Sequence, residues 1–335
     1  MSGALLQVDS LERRFGGERT LLGRRLPEVH AVQGVDLEVR KGETLGIVGD
    51  SGCGKSTLAR MLVGLDRPTA GAVRLDGVDL TAGGAFSMAK RVQYVFQDPV
   101  SSLNPRKTIR AILEAPMIYL LDMDRTARRA RLAELMAVVK LSPDFLDRYP
   151  HEFSGGQAQR IGIARALAAE PEIVVLDEPV SALDVSVQAQ VLNLLDELKQ
   201  RLALTYVFIS HDLSVVESVS DRVAVMYFGR IVELADARDL FRRPRHPYTK
   251  LLFDAAPVPG RRKVRGESKL AELPDPYRPP PGCAFAPRCP NGGARCREER
   301  PALDVDRPSP THAAACFFPV GAGNGVGKDA VGHSQ

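Results

Sequence analysis

Short apolar runs alternate along this chain with longer amphipathic stretches. Residues 5–9 and 32–39 read as strands. In the second, Val32, Gly34, Asp36 and Glu38 alternate with Gln33, Val35, Leu37 and Val39. Between them RRFGGERTLLGRRLPEVH, rich in Gly and Arg, predicts a long polar loop. TLGIV (44–48) is a compact apolar strand that runs into a glycine-rich segment and then into a helix, LARMLVGL. RVQYVFQ (91–97) is another strand. From 98 to about 170 the pattern is mainly helical, as in RLAELMAVVKL. Strands return at 172–176, 204–210 and 222–228, the first two joined by the helix SVQAQVLNLLDELKQRL. Strands alternating with helices predict a mostly parallel α/β sheet, with the helical stretch as an insertion. Past 243 the chain turns Pro-rich, which puts a boundary near 242. Residues 321–335, rich in Gly, are expected to be disordered.

The chain has 335 residues, enough for one large domain and an appendage. A net charge of +4 is too weak to argue for nucleic acid. The longest apolar runs are strand-length, well below the roughly 20 residues of a membrane-crossing helix. The first residues show no cationic segment followed by an apolar one, so no secretion signal is expected. The expectation is a cytoplasmic chain whose membrane role, if it has one, comes through a partner. Four of its five cysteines, Cys283, Cys289, Cys296 and Cys316, cluster late in the chain. In a reducing compartment such a cluster points to metal before disulfides.

Two motifs carry chemistry on their own. Gly49-Asp50-Ser51-Gly52-Cys53-Gly54-Lys55-Ser56 fits the phosphate-loop pattern between a strand and a helix. Its backbone N–H groups and the helix start can hold phosphate oxygens. Lys55 can reach the β and γ phosphates, Ser56 can ligate Mg²⁺, and Thr57 can add a contact near the α phosphate. Cys53 simply fills a variable position. The strand EIVVL (172–176) ends in Asp177 and Glu178. Asp177 can hold Mg²⁺ and Glu178 can polarise an attacking water. Phe153-Ser154-Gly155-Gly156-Gln157 is a second backbone cradle at a helix start, without a lysine of its own.

Two anion cradles in one chain need a reason, and a family resemblance supplies one. Residues 5 to about 240 resemble the ATPase subunits of ABC transporters. Five motifs agree in order: the loop at 49–57, Gln97, the signature at 153–157, the acid pair 177–178, and His211. The segment SALD (181–184) also matches. The resemblance implies a P-loop NTPase fold of ABC type, with a mostly parallel core, an antiparallel β subdomain and a helical subdomain at about 98–165. It implies that Gln97 contacts Mg²⁺ or the water, that His211 contacts the γ phosphate, and that Phe15 stacks on adenine. It also implies that Ser154, Gly155, Gly156 and Gln157 complete the site of a second ATPase subunit, head to tail. Phe153 stands where Leu is frequent and Ala158 where a basic residue is frequent. Neither departure removes a donor or a carboxylate.

FQDPVSSLNPR (96–106), HEFSGGQAQRIGIARAL (151–167), RHPYTKLL (245–252) and the tail GCAFAPRCP resemble the dipeptide/oligopeptide importer ATPases, a group that includes nickel importers. The implied organisation is a cassette at 1–242, a Cys-bearing extension at 243–320 and a tail at 321–335. The implied partners are a second, different ATPase subunit, two integral membrane permeases and, indirectly, an extracytoplasmic receptor. The implied location is the cytoplasmic face of the membrane. For the four cysteines three readings stay open: an iron–sulfur cluster of 4Fe–4S type, which the resemblance implies, zinc, or unliganded thiols. A soluble ABC ATPase acting on ribosomes or DNA is disfavoured, because there is one cassette and the gap from 97 to 153 is short.

Overall fold

The structure is a computed structural model that describes residues 4–17, 27–81, 85–255, 274–309 and 312–321. Two long strands open the chain, β1 (Ala4–Gly16) and β2 (Glu28–Arg40). They pair antiparallel, with Val8 opposite Leu37 and Phe15 opposite Val29. Val35, Leu37 and Val39 are buried while Asp36 and Glu38 are exposed, so the period-2 pattern chooses the packing face. Both strands extend into the stretch expected to be loop. Its middle lies outside the described residues.

The apolar strand β3 (Thr44–Val48) leads through the phosphate loop to α1 (Lys55–Leu62). A hairpin follows, β4 (Ala70–Leu75) and β5 (Val78–Asp79). The sequence reading missed it, although its turn, Asp76-Gly77, has both residues at positive φ. That is the two-residue turn that suits strand twist, and Asp-Gly is its usual sequence. β4 pairs with β1, giving an antiparallel sheet in the order β2-β1-β4-β5.

Next come α2 (Ala85–Arg91) and β6 (Val92–Val95), then the helical insertion of α3 (Ile109–Tyr119), α4 (Arg125–Val138) and α5 (Gly155–Leu167). The chain returns to the sheet through β7 (Ile173–Asp177), α6 (Val185–Leu202), β8 (Thr205–Ile209), α7 (Leu213–Val219), β9 (Arg222–Tyr227) and β10 (Arg230–Asp236). After α8 (Ala237–Arg242) and α9 (Pro247–Ala255), the extension adds α10 (Ala294–Glu298), β11 (Asp304–Ser309) and β12 (His312–Ala314). The second sheet runs β11-β12-β10-β9-β3-β8-β7-β6. Its stretch from β9 to β6 is parallel.

Every residue of β3, β7 and β8 is buried, as strands covered on both faces require. Alternate side chains feed two cores. Val174, Leu176 and Phe208 pack toward the helical insertion with Leu113, Leu135 and Ile161. Ile173, Val175 and Ile209 pack toward α1 with Leu58 and Met61. Each such side chain contributes about 2 kcal/mol on burial. Beyond residue 242 the chain continues into this architecture: β12 pairs with β10, and Tyr248 and Phe285 enter the helical-side core. Among the described residues no helix is long and apolar enough to cross a membrane.

Candidate nucleotide site

Three parallel strands, β3, β8 and β7, deliver polar residues at their carboxyl ends, where open α/β sheets bind ligands. After β3, the loop bends through Gly54 at φ 106°, where a Cβ would stand 2.4 Å from the Ala31 carbonyl oxygen. Gly54 has no side chain to cap α1, so the first-turn N–H groups are left for an anion. Lys55 is buried, and its Nζ donates to Gly49 O at 2.7 Å and Asp50 O at 3.0 Å. The ammonium is thereby held at the centre of the loop. Burial pushes the Cys53 thiol pKa up, which keeps it neutral and poorly reactive.

After β7, the buried Asp177 accepts from Tyr94 Oη at 2.5 Å and from Ser56 Oγ at 3.3 Å. Burial raises its pKa, and the bonds from Tyr94 and Ser56 oppose that rise. Glu178 follows at φ 48°, a left-handed conformation that costs a non-glycine residue about 1 kcal/mol. Its N–H, bonded to Ile209 O at 2.8 Å, holds it there. Its carboxylate is bracketed by Gln97 Nε2 at 3.1 Å and His211 Nδ1 at 3.0 Å. Lys55, Ser56, Gln97, Glu178 and His211 line one cavity of about 480 Å³. A neighbouring cavity of about 380 Å³ shares Ser56 and Gln97 and adds Tyr94 and Asp177. Ser56 and Asp177 present oxygen donors side by side, the chemistry a hard cation such as Mg²⁺ selects.

The other expected site residues lie elsewhere. Ser154 caps α5, accepting from Gln157 N while Gln157 Oε1 accepts from Ser154 N. Ser154 and Gly155 are exposed, and none of Ser154–Gln157 lines the cavity holding Lys55. Gly156 is required by packing, since a Cβ would lie 2.4 Å from Val187 Cγ1. Phe15 also lies outside that cavity. Its ring is covered by the Arg13 guanidinium at 4.5 Å, and its cross-strand neighbour Val29 does line the cavity, with His30. Sequence reading missed Tyr94, His30, Phe228, Gly229 and Pro276. Tyr94 was within reach, as the buried polar residue of RVQYVF pairing beside the acid strand. Pro276, from the extension, carried no local signal.

The four late cysteines do converge, together lining a cavity of only about 10 Å³. That is room for about one water. Burial raises the pKa of Cys283, Cys289 and Cys316, the last to about 12. Among the described residues no group of three or more Cys, His, Asp or Glu is arranged to hold a metal ion. The iron–sulfur expectation therefore gains no support from this arrangement.

Known proteins match this architecture along its length. The model of the ABC transporter family matches residues 32–181, and that of the oligopeptide/dipeptide transporter C-terminal region matches 232–296. The oligopeptide transport ATP-binding protein AppF of Bacillus subtilis is 46% identical over 94% of this chain and 97% of its own. The dipeptide transport ATP-binding protein DppF of Escherichia coli is 47% identical over 89% and 90%. The chain belongs to the ATP-binding subunits of ABC transporters.

A solved dimeric ATP-binding cassette in a post-hydrolysis state, bound to ADP and Pi, superposes on this ABC subunit with a TM-score of 0.61. It is 28% identical and covers 70% of this chain and 99% of its own. The ABC subunit therefore has an ATPase fold, binds ATP and couples its hydrolysis to transport. The fold expected from its motifs is the one observed.

Proposed function

We propose that this ABC subunit energises import of dipeptides or oligopeptides, using the cavity at α1 as its ATP site. One observation carries the site reading: Lys55, Ser56, Gln97, Glu178 and His211 come from four separate segments and line one cavity. Gly49, Ser51, Gly52, Cys53, Gly54 and Thr57 supply the backbone cradle, and Lys55 holds the β and γ phosphates. Ser56, Asp177 and Gln97 hold Mg²⁺, which neutralises phosphate charge when bound. Glu178 takes the proton of a water whose oxygen bonds to the γ phosphorus as the bond to ADP breaks. His211 donates to the γ phosphate. Phe15, next to Val29 across the strand pair, covers the adenine.

Ser154, Gly155, Gly156 and Gln157 serve the ATP of a second ATPase subunit. All four lie outside the ATP cavity of their own chain, and Ser154 and Gly155 are exposed, which supports that division. The partner subunit is a different chain rather than a copy, two membrane permeases receive the motion, and the subunit works at the cytoplasmic face. Peptide cargo is supported by the relatives AppF, an oligopeptide transport protein, and DppF, a dipeptide transport protein. The test is ATP hydrolysis by the complex isolated with its membrane partner and receptor. Stimulation by short peptides is expected. Stimulation by nickel ion and by no peptide would replace the cargo reading.

A further inference from the structure

The motif His246-Pro247-Tyr248 opens the extension at the start of α9. Its tyrosine is fully buried, and its Oη accepts the N–H of Asp50, inside the phosphate loop, at 2.9 Å. The carbonyl of the same peptide unit, Gly49 O, accepts from Lys55 Nζ at 2.7 Å. A trans peptide is planar, with its N–H and C=O on opposite sides. A bond on the N–H side therefore fixes the direction of the carbonyl that holds Lys55. The extension makes a second contact there: Arg288 Nη1 lies 3.8 Å from Asp50 Oδ2, with only 11% of the arginine side chain exposed.

Both contacts are braced. The N–H groups of Arg245 and His246 donate to the two oxygens of buried Glu233, at 2.6 and 2.8 Å. His312 Nε2 lies 2.6 Å from the same carboxylate. Tyr248 N–H donates to His246 Nδ1 at 3.1 Å. The Tyr248 ring packs against Tyr227 at 4.5 Å and Phe285 at 5.5 Å, and Phe285 precedes Arg288 by one turn.

We infer that Tyr248 and Arg288 are positioning residues of the ATP site, fixing the Gly49–Asp50 peptide so that Lys55 is aimed at phosphate. The extension is thus part of the phosphate loop's support. This rests on the phosphate-loop reading above, and the experiment separates the two.

ATP affinity is measured on the full chain with a fluorescent ATP analogue, alongside thermal melting, for Lys55→Ala, Tyr248→Phe, Arg288→Met and Arg288→Lys. Tyr248→Phe keeps the ring and leaves the half-buried Asp50 N–H without its partner. It should weaken ATP binding about fivefold, more than it lowers the melting temperature in proportion. Arg288→Met should weaken binding about threefold, and Arg288→Lys should restore it, since the contact is ionic rather than bidentate. A purely packing role predicts the reverse for Tyr248→Phe: a lower melting temperature with wild-type ATP affinity, which would overturn the inference. If Tyr248→Phe does not fold, equal affinity of wild type, Arg288→Met and Arg288→Lys overturns it instead. Lys55→Ala is the control. If it keeps wild-type affinity, the phosphate-loop reading fails; if it loses affinity while Tyr248→Phe and Arg288→Met do not, only the inference fails.

Discussion

Two carboxylates on one sheet have opposite surroundings. Glu233 in β10 is wholly buried, and its oxygens are taken by Arg245 N–H, His246 N–H and His312. Glu178, just past β7, sits at a strained φ, touches two side chains and faces an open cavity. A buried charge survives when its bonds are complete, and then its work is structural. A carboxylate with oxygen lone pairs facing a cavity, held in place at a conformational cost, is placed for a ligand. The knot at Glu233 builds the seat from which Tyr248 reaches the phosphate loop. The group at Glu178 acts on what that loop holds.

The widest separation of the two is expected from Glu178→Gln. The amide keeps the shape of the side chain and one acceptor oxygen, and loses the base. Hydrolysis should fall about 10³-fold, with ATP binding and the melting temperature retained. Phosphate release at the wild-type rate would remove Glu178 from the chemistry. Glu233→Ala should act the other way, destabilising the fold by about 4 kcal/mol because it strands two backbone donors and His312. A urea midpoint equal to wild type would show that the knot is not structural.

The same knot should respond to acid. Burial holds His246 at about pH 4 for half-protonation, against 6.5 for the free side chain. It is neutral in the fold, with Nδ1 accepting from Tyr248 N–H. Its folded pKa is depressed, so its share of stability is complete above about pH 6.5 and is lost as pH falls toward 4. The shift is equivalent to about 3 kcal/mol. Urea midpoints taken from pH 8 to 4.5 should drop through this window. A flat profile would mean that His246 accepts a proton in the fold at no cost.

The two regions were unequally legible in sequence. The loop at 49–57, the acid pair and the signature each follow from a local rule, because a backbone cradle needs glycines and a helix start at fixed spacing. The parallel core was legible from TLGIV and EIVVL, whose unbroken apolar runs mark strands covered on both faces. The knot was not legible. Glu233 lies in IVELA, where a lone acid reads as a solvated position, and its donors come from residues 245, 246 and 312. Nothing local announces that Tyr248 meets Asp50 across 198 residues. The cysteines were legible as a cluster in space, since all four line one cavity, but spacing said nothing about how tightly that cavity would close.

The smallest expected effect divides one residue between the two roles. Ser154 caps α5 through Gln157 N–H, so Ser154→Ala should cost about 1 kcal/mol of stability, and Ser154→Gly only a few tenths (about 0.3 kcal/mol). Both variants lose the hydroxyl. If its use is structural, hydrolysis by the assembled complex should follow stability, with the glycine variant near wild type. If Ser154 serves a neighbour's nucleotide, both variants should slow hydrolysis equally while the isolated chain keeps its ATP affinity, because Ser154 lies outside its own cavity. Equal slowing is the outcome expected here. It would show that a residue with complete local bonds can still belong to a site, provided that a second subunit brings the rest of it.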